Sequence, residues 1–421
     1  MTGTGRGADT GAGRDRFPYA LLGTWGLTRL VLLLFVFRVF VFPGPDVTSD
    51  VSVIYQGWYD VLRTGTFPLS DVTWQYPPAA ALAMLSPALL PFLGYASAFF
   101  VLAFLTDLAV LALLQYAGLR PGKTLRGAWV WVIGVPLLGP TVYSRYDIFV
   151  TAVAVAALLA GVRRPRVLGA LAGFGALLKV WPVLLLVGAA RGGGRRAWAA
   201  AAVTAGALCA VFAVTMPGAF AFLTYQRDRG TEVESLGSLV FHVARRFGWP
   251  GQVLLNYGSV EFLGPYVGVV SGAALFLTAV ALGWVLLWRL SAQRFPAHAL
   301  AEAAFVAVLL FTVTSRVISP QYLVWLVGLS AVCLCFRGTR MTKAALLVLA
   351  ASLVTVLEFP VWFTHVVMGD DLGIALILLR NGLLVAAAVT AGRELWRGTV
   401  SPPAPTVPNQ ASRTTESLAS S

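Results

Sequence analysis

Charge is scarce in this chain of 421 residues, because Asp, Glu, Lys and Arg make up only 12% of it against 58% hydrophobic residues. A soluble domain is usually about 45 to 50% apolar, so this composition indicates a membrane protein. Cysteine is scarce too, and Cys209, Cys333 and Cys335 lie in apolar runs, where we expect buried side chains rather than disulfides or a metal site. No phosphate-binding glycine-rich loop follows a predicted strand, and the two halves show no clear repeat.

Long apolar runs, by contrast, are abundant, and most reach the roughly 17 to 25 residues that a membrane-spanning helix needs. The first, Phe17–Phe42, is too long for a signal-peptide core and lacks a small-residue cleavage site, so we expect a retained first span. We expect an all-α membrane domain over residues 17–392, between disordered cytoplasmic tails at 1–16 and 393–421. The later runs are Tyr95–Leu119, Gly127–Tyr143, Ile148–Val162, Val167–Ala190, Ala197–Met216, Pro265–Leu287, Ala297–Val313, Gln321–Cys335, Ala344–Phe363 and Leu372–Thr390.

Short basic loops separate the spans and set their orientation, because Lys and Arg collect on the cytoplasmic side of a membrane. Placing these loops and the tails inside assigns 20 of the 31 Lys and Arg residues to the cytoplasm, but only four of the 18 acidic residues. The net charge of +13 is therefore a topology signal and not a nucleic-acid-binding patch. The loops lie at residues 120–126, 163–166, 191–196, 289–294, 337–343 and 393–397.

The run Val167–Ala190 lies between two of these basic loops, so it must leave the cytoplasmic face and return to it. Its middle reads LLKVWP, in which Pro182 breaks a helix and Lys179 is costly in lipid. We predict a hairpin of two short helices with Lys179 near its outer tip; the alternative is a single span that places residues 191–196 outside. The run Pro78–Leu93 is predicted to be a helix lying on the outer surface. About twelve crossings result, with both termini inside.

Acidic residues gather on the opposite, outer face, where 12 of the 18 fall. The largest outer segments are the loops 43–94 and 217–264, which cover one end of a helical bundle. A carrier or channel usually places its polar groups near the middle of the bilayer, whereas here they crowd the outer rim. This pattern favours an enzyme that works at the outer face of the membrane.

The segment SDVSVIYQGWYDVLRTGTFPLSDVTWQYPP, residues 49–78, resembles the first outer loop of glycosyltransferase family 87. This family contains bacterial membrane mannosyltransferases of GT-C fold that use polyprenyl-phosphate sugars. Further resemblances follow in the family's order: SRYDIF, KVWP, RDRGTEVES and SRVISPQYLVWL. The resemblance runs from about residue 20 to 392, and Leu69, Gln75 and Val180 depart from the family's pattern.

The resemblance implies an all-α polytopic bundle of GT-C type with helices in its outer loops. It also implies transfer of a hexose, with mannose the sugar it suggests, from a polyprenyl-phosphate donor to a glycolipid or cell-envelope glycan, with inversion at the anomeric carbon. The partners are then that donor, the acceptor and membrane lipids, with no nucleic acid. No cofactor is required, although a divalent cation held by Asp50 and Asp71 stays open.

Such a reaction needs a base for the acceptor proton and positive groups for the departing phosphate. Asp50 is the predicted catalytic base, because it follows the first span at the height of a lipid phosphate; a helix cap or solvated carboxylate is the alternative. Lys179 is predicted to meet the donor phosphate, unless it snorkels to the surface. Arg145 is expected either to grip phosphate or to pair with Asp147 across its turn. The other predicted substrate-binding residues, each of which could instead hold a loop together, are Asp71, Tyr55, Tyr76, Asp147, Arg229, Glu234, Arg316, Gln321 and Tyr322.

Three charged residues inside predicted spans support a competing hypothesis, a carrier or flippase for a lipid-linked or charged solute. Asp107, Glu302 and Arg380 would each be costly alone in lipid, so we expect Arg380 to pair with one of the two acids.

Some other polar residues of the outer loops are not expected to take part in the reaction. Asp46 and Asp60 are expected to be solvated. His242, with Arg245 and Arg246, is predicted to lie on a surface helix whose basic face meets lipid head groups.

Overall fold

The computed structural model describes residues 12–69, 71–225 and 230–400. Within them most residues are helical, as the composition predicted. Arg229, one of the predicted substrate-binding residues, lies outside the described residues. The helices are α1 (Ala12–Val36), α2 (Gln56–Leu62), α3 (Ala80–Leu85), α4 (Tyr95–Gly118), α5 (Arg126–Gly134), α6 (Asp147–Gly161), α7 (Pro165–Leu178), α8 (Arg191–Thr215), α9 (Phe222–Tyr225), α10 (Ser238–Ala244), α11 (Val267–Ser291), α12 (Ala299–Thr314), α13 (Tyr322–Leu334), α14 (Thr342–Val356), α15 (Phe363–Met368) and α16 (Asp371–Thr399).

Six of the described helices are long and apolar enough to span a membrane, and five shorter apolar helices have 10–17 residues. The protein is therefore a multi-pass membrane protein, as predicted, while the count of about twelve crossings stays a prediction. Helix α16 continues to Thr399, past residue 393, where the C-terminal tail was expected to begin. The six long segments are Tyr19–Val36, Tyr95–Gly118, Arg191–Thr215, Val267–Ser291, Thr342–Val361 and Asp371–Thr399.

The chain between the basic loops 163–166 and 191–196 forms a hairpin, as predicted, but its returning arm contains a six-residue 3-10 helix, Trp181–Leu186, and not a second α-helix. Helix α7 ends just before Lys179, whose backbone is extended, and a short 3-10 turn then leads back to the start of α8. Helices α7 and α8 run in parallel, because Gly169 lies against Ala197 and Gly173 lies against Ala201, which is the same offset along the chain. Two consecutive helices can be parallel only if the connection returns to the starting end. The single-span alternative is therefore wrong.

All six basic loops meet at one end of the bundle, which we name the basic end. Buried helix ends and loops bring them together through backbone hydrogen bonds and ion pairs. Loop 191–196 contacts 163–166 and 289–294, loop 337–343 contacts 120–126 and 393–397, and loop 289–294 donates hydrogen bonds to the Thr399 carbonyl. This common location agrees with the charge pattern of the sequence.

The three charged residues behind the carrier hypothesis lie in three separate groups, so the predicted pairing of Arg380 with Asp107 or Glu302 is wrong. Each has found a different partner, because a buried charge is costly unless it is paired and hydrogen-bonded. Their separation removes the observation on which that hypothesis depended. The partners are Glu358 for Arg380 (2.9 Å), Arg29 for Asp107 (2.7 Å) and the Thr339 hydroxyl for Glu302 (2.7 Å).

The outer segment 217–264 contains a small antiparallel sheet, which was not expected in an all-α domain. Helix α10 packs against this sheet: the His242 side chain is fully buried, and its ring meets the edge of Phe262. The predicted placement of His242 on the exposed face of this helix is therefore wrong, although Val240 and Val243 on the same helix are exposed; contact of its basic residues with lipid head groups stays a prediction. The strands are β1 (Thr231–Glu232), β2 (Gln252–Asn256) and β3 (Ser259–Leu263), in the order β1-β3-β2.

The predicted surface helix at 78–93 is shorter and more buried than expected. It consists of α3 followed by a 3-10 turn at Ser86–Leu89, and it leads into α4 as predicted. Ala80, Ala81 and Met84 are fully buried, and α3 packs against α2 and α7. This segment therefore supports the end of the bundle opposite the basic end.

Candidate active site

A cleft of about 410 Å³ opens at the end of the bundle opposite the basic end. Six stretches of chain meet there: the π-helical segment Asp50–Tyr55 with α2, the loop 73–77, the break after α7, residues 222–223, residues 257–259 and residues 315–325. Leu275 of α11 and Phe311 of α12 contribute an apolar side. The predicted site residues that line the cleft are Asp50, Tyr55, Tyr76, Lys179, Arg316, Gln321 and Tyr322.

Asp50 begins the π-helical segment and directs its partly exposed carboxylate, 32% accessible, into the cleft. Arg145 pairs with it, with 2.8 Å between Nη2 and Oδ2. The same guanidinium donates to the carbonyls of Val47 (3.1 Å) and Ser144 (2.8 Å). These two hydrogen bonds fix the Arg145 guanidinium to the segment that precedes Asp50 and to the segment that precedes Arg145 itself. The fixed guanidinium in turn holds the Asp50 carboxylate in one position.

Lys179 sits inside a group of aromatic rings, which we name the lysine cage. Because α7 stops at Leu178 and Lys179 is extended, its side chain leaves the helix and enters the cleft. Cation–π attraction favours an ammonium within about 6 Å of a ring centroid. The ring centroids around Nζ are those of Trp325 (4.8 Å), Tyr322 (5.0 Å), Tyr146 (5.2 Å) and Tyr76 (5.7 Å).

Asp147, in the first turn of α6, holds the lysine cage together by binding both Lys179 and Trp325. Its Oδ1 accepts from Lys179 Nζ and from Trp325 Nε1, each at 2.7 Å, and the residue is only 1% exposed. The Trp325 ring in turn stacks on Tyr322 at 4.1 Å. The predicted turn pair between Arg145 and Asp147 is therefore wrong: the two residues belong to different ion pairs, one with Asp50 and one with Lys179.

Asp71 does not line the cleft but positions a ring that does. Its Oδ2 accepts from Trp58 Nε1 at 2.7 Å, and its Oδ1 accepts from the Thr73 amide (2.8 Å) and hydroxyl (2.6 Å). Trp58 lines the cleft and stacks on Tyr55. A divalent cation shared between Asp71 and Asp50 would have to displace these hydrogen bonds, and the described residues contain no group of three or more His, Cys, Asp or Glu that could hold a metal.

The turn that carries Arg316, Gln321 and Tyr322 is held by Glu232 of β1. The Glu232 carboxylate accepts from the Ile318 amide at 2.6 Å and from the Ser319 hydroxyl at 2.8 Å, and the Glu232 amide donates to the Arg316 carbonyl. Glu232 is not among the predicted site residues, although it lies in the same RDRGTEVES motif as Glu234. Glu232 contacts the turn around Ser319, which lies far away in the sequence, and no periodic pattern of residues indicates such a contact.

Glu234 lies outside the cleft, in a buried cluster with Glu358 and Arg380. Its carbonyl accepts from Arg380 and from Asn381, whereas its Oε1 has no hydrogen-bond partner among the described residues. Burial, together with the charges of Glu232 and Glu358, raises the pKa of the Glu234 carboxyl well above its ordinary value of 4.5. The arrangement gives Glu234 a role in holding β1 to α16.

Several aromatic residues of the cleft were also missed. Trp58, Trp181 and Tyr257 line it with the predicted tyrosines, and Trp181 stacks on Trp325 at 5.2 Å. Tryptophan at a membrane interface is common, so the sequence alone could not separate cleft rings from interface anchors. The KVWP motif was the available signal, since its tryptophan follows Lys179 by two residues.

Comparison with solved structures finds a similar chain. The crystal structure of ArnT from Cupriavidus metallidurans bound to undecaprenyl phosphate is similar to this chain, with 14% identity, a TM-score of 0.44, and coverage of 92% of this chain and 78% of that one. No curated protein matches significantly.

A family model matches residues 74–320, which is more than half of the chain. The matched range includes Tyr76, Arg145, Asp147, Lys179 and Arg316, while Asp50 precedes it. The resemblance noted in the sequence is thus confirmed, and the protein is a membrane glycosyltransferase. The chain belongs to glycosyltransferase family 87.

Proposed function

We propose that this glycosyltransferase takes a hexose, specifically mannose, from a polyprenyl-phosphate donor and adds it to a hydroxyl of a glycolipid or cell-envelope glycan. The observation that carries the proposal is the content of the cleft. It gathers one accessible carboxylate, Asp50, with two cations, Lys179 and Arg316, from three distant parts of the chain. A carboxylate facing cations across a ring-lined space is the set of groups that sugar transfer from a lipid phosphate requires.

In the proposed reaction Asp50 is the general base. The acceptor oxygen forms a bond to the anomeric carbon while the bond from that carbon to the phosphate oxygen breaks, and the acceptor proton moves to the Asp50 carboxylate. The electron pair of the broken bond leaves with polyprenyl phosphate. Because attack and departure occur on opposite faces of the sugar, the anomeric configuration inverts. Arg145 orients Asp50 for this step through its 2.8 Å ion pair.

Lys179 and Arg316 are proposed to stabilise the departing phosphate, whose negative charge grows as the bond breaks. The Lys179 ammonium would be shared between Asp147 and the phosphate, with the four rings of the lysine cage holding it in place. Burial raises the pKa of the Tyr55 hydroxyl, which lines the cleft, so this hydroxyl stays protonated and can donate a hydrogen bond there. No divalent cation is included in this proposal.

The proposed location is the extracytoplasmic face. The cleft lies at the end opposite the basic loops, and basic loops collect on the cytoplasmic side. Labelling of single cysteines tests this, with a cysteine at Gly193 shielded from an impermeant reagent added outside intact cells. A labelled Gly193→Cys variant would contradict the orientation.

The catalytic role is tested by Asp50→Asn, with Asp46→Asn and Asp60→Asn as matched controls. Asp46 pairs with Arg38 and Asp60 lies near Arg63, both on the surface of the same loop. Transfer from polyprenyl-phosphate mannose to a membrane glycolipid extract is expected to fall by about 10² to 10⁴ in Asp50→Asn, the usual contribution of a general base, and to persist in the controls. Normal transfer by Asp50→Asn at equal protein level would refute the proposed base, and transfer of another hexose alone would refute mannose.

A further inference from the structure

A second cavity, of about 1010 Å³, lies at the basic end between α4 and α6, and we name it the basic groove. Its mouth carries four cations, and no Asp or Glu is among the described residues that line it. The cleft at the opposite end contains a carboxylate of its own, whereas this groove offers positive charge only. The four cations are Arg120, Lys123, Arg163 and Arg164.

Two of the four cations are held against aromatic rings and not against carboxylates. The Arg120 guanidinium lies 4.4 Å from the centre of the Tyr116 ring, and Lys123 lies over the ring of Phe336. Burial and, in smaller part, the charge of Arg163 lower the pKa of the Lys123 ammonium to about 8. An anion in the groove would favour the charged form of this partly buried ammonium.

The walls of the groove above the cations are apolar. On α4 and on α6 the lining residues recur every three or four positions, so each helix presents a continuous stripe toward the groove. Each stripe is apolar along the helix and cationic at its end in the loop. The stripe residues are Leu113 and Ala117 on α4, and Ala156, Leu159 and Ala160 on α6.

We propose that the basic groove binds an anionic phospholipid, with the head-group phosphate among the four cations and an acyl chain along the stripes of α4 and α6. A lipid is chosen over a free phosphate ion because it uses both the cations and the apolar walls. Basic pockets between membrane helices on the predicted cytoplasmic side suit such head groups. This proposal is independent of the reaction in the cleft.

The test uses the full chain purified in detergent, titrated with short-chain phosphatidylglycerol or with phosphatidylcholine of equal chain length. Binding is read from the rise in thermal unfolding midpoint with ligand concentration. The groove variant is Arg163→Gln/Arg164→Gln, and the matched control is Arg195→Gln/Arg196→Gln, which removes equal charge from the same end outside the groove. A third variant, Ala160→Phe, fills the apolar wall and keeps every cation.

Phosphatidylglycerol, but not phosphatidylcholine, is expected to stabilise the wild type and the control. The groove variant should bind about thirty-fold more weakly, about fivefold for each cation near the surface. Ala160→Phe should also lose binding, which removal of charge alone would not explain. Equal loss in the control, undiminished binding in the groove variant, or equal stabilisation by glycerol 3-phosphate would overturn the proposal. Midpoints without lipid establish that each variant is folded.

Discussion

Replacing Asp147 with Asn removes the carboxylate that lies 2.7 Å from the Lys179 ammonium. The two side chains are 2% and 13% exposed, so the ammonium is left in an interior where water compensates poorly. Removing one partner of a buried ion pair costs about 3 to 5 kcal/mol, and Lys179→Met should cost a similar amount by leaving Asp147 ionised. The double variant Asp147→Asn/Lys179→Met removes both charges, so it should recover most of the stability lost by either single variant.

The double variant separates stability from chemistry. Thermal unfolding of the four purified proteins should show a coupling of about 6 to 10 kcal/mol between the two positions, because each single variant loses about 3 to 5 kcal/mol and the double variant stays close to the wild type. Sugar transfer, however, should stay low in the double variant, because methionine offers no positive charge to the departing phosphate. Recovery of stability together with normal transfer would refute the role proposed for Lys179. Additive losses of stability would refute the ion pair as a buried, coupled unit.

Glu232→Gln leaves one of the donors Ile318 N–H and Ser319 O–H without its acceptor. We therefore expect the free energy of unfolding to fall by about 1.5 to 3 kcal/mol and sugar transfer to weaken. The control is Glu261→Gln, which disturbs the same sheet but not the turn. If Glu261→Gln lost sugar transfer to the same extent, displacement of the turn that carries Arg316 could not explain the loss. Glu234 binds its proton more tightly in the folded state than in the unfolded state, so its contribution to stability is present below about pH 4.5 and is lost as the pH rises toward the raised pKa. The unfolding midpoint of the wild type, measured from about pH 5 to about pH 8, should therefore fall relative to that of Glu234→Gln, and parallel pH profiles would contradict this assignment.

Much of the architecture followed from the sequence because hydrophobic length and charge asymmetry act directly on membrane topology. The hairpin around Lys179 was predicted from two basic loops that had to share one side, and the contacts of Gly169 and Gly173 with α8 confirm it. Individual partners could not be predicted in the same way. Arg380 pairs with Glu358, 22 positions before it, and its guanidinium is placed there by the packing of α16 against α14.

The candidate site was predictable as a set of motifs but not as a set of pairs. Asp50, Lys179 and Arg316 meet in one cleft, yet the partner of each charge depends on where three loops cross. Arg145 and Asp147 stand two residues apart and point to different partners, since one precedes α6 and the other begins it. The motifs therefore indicated which polar residues lie near the end of the bundle that contains the cleft. Tertiary packing determines which residue each of them contacts.

The 14 residues of α7 determine how far Lys179 lies from the basic end of the bundle. At about 1.5 Å per residue the helix carries Lys179 about 21 Å from the basic end, while the close contacts of Gly169 and Gly173 with α8 keep it from sliding. Adding one residue would raise the ammonium by about 1.5 Å and turn it by about 100°, out of the lysine cage. The length of α7 therefore sets the distance between the basic end and the ammonium that is proposed to bind the donor phosphate.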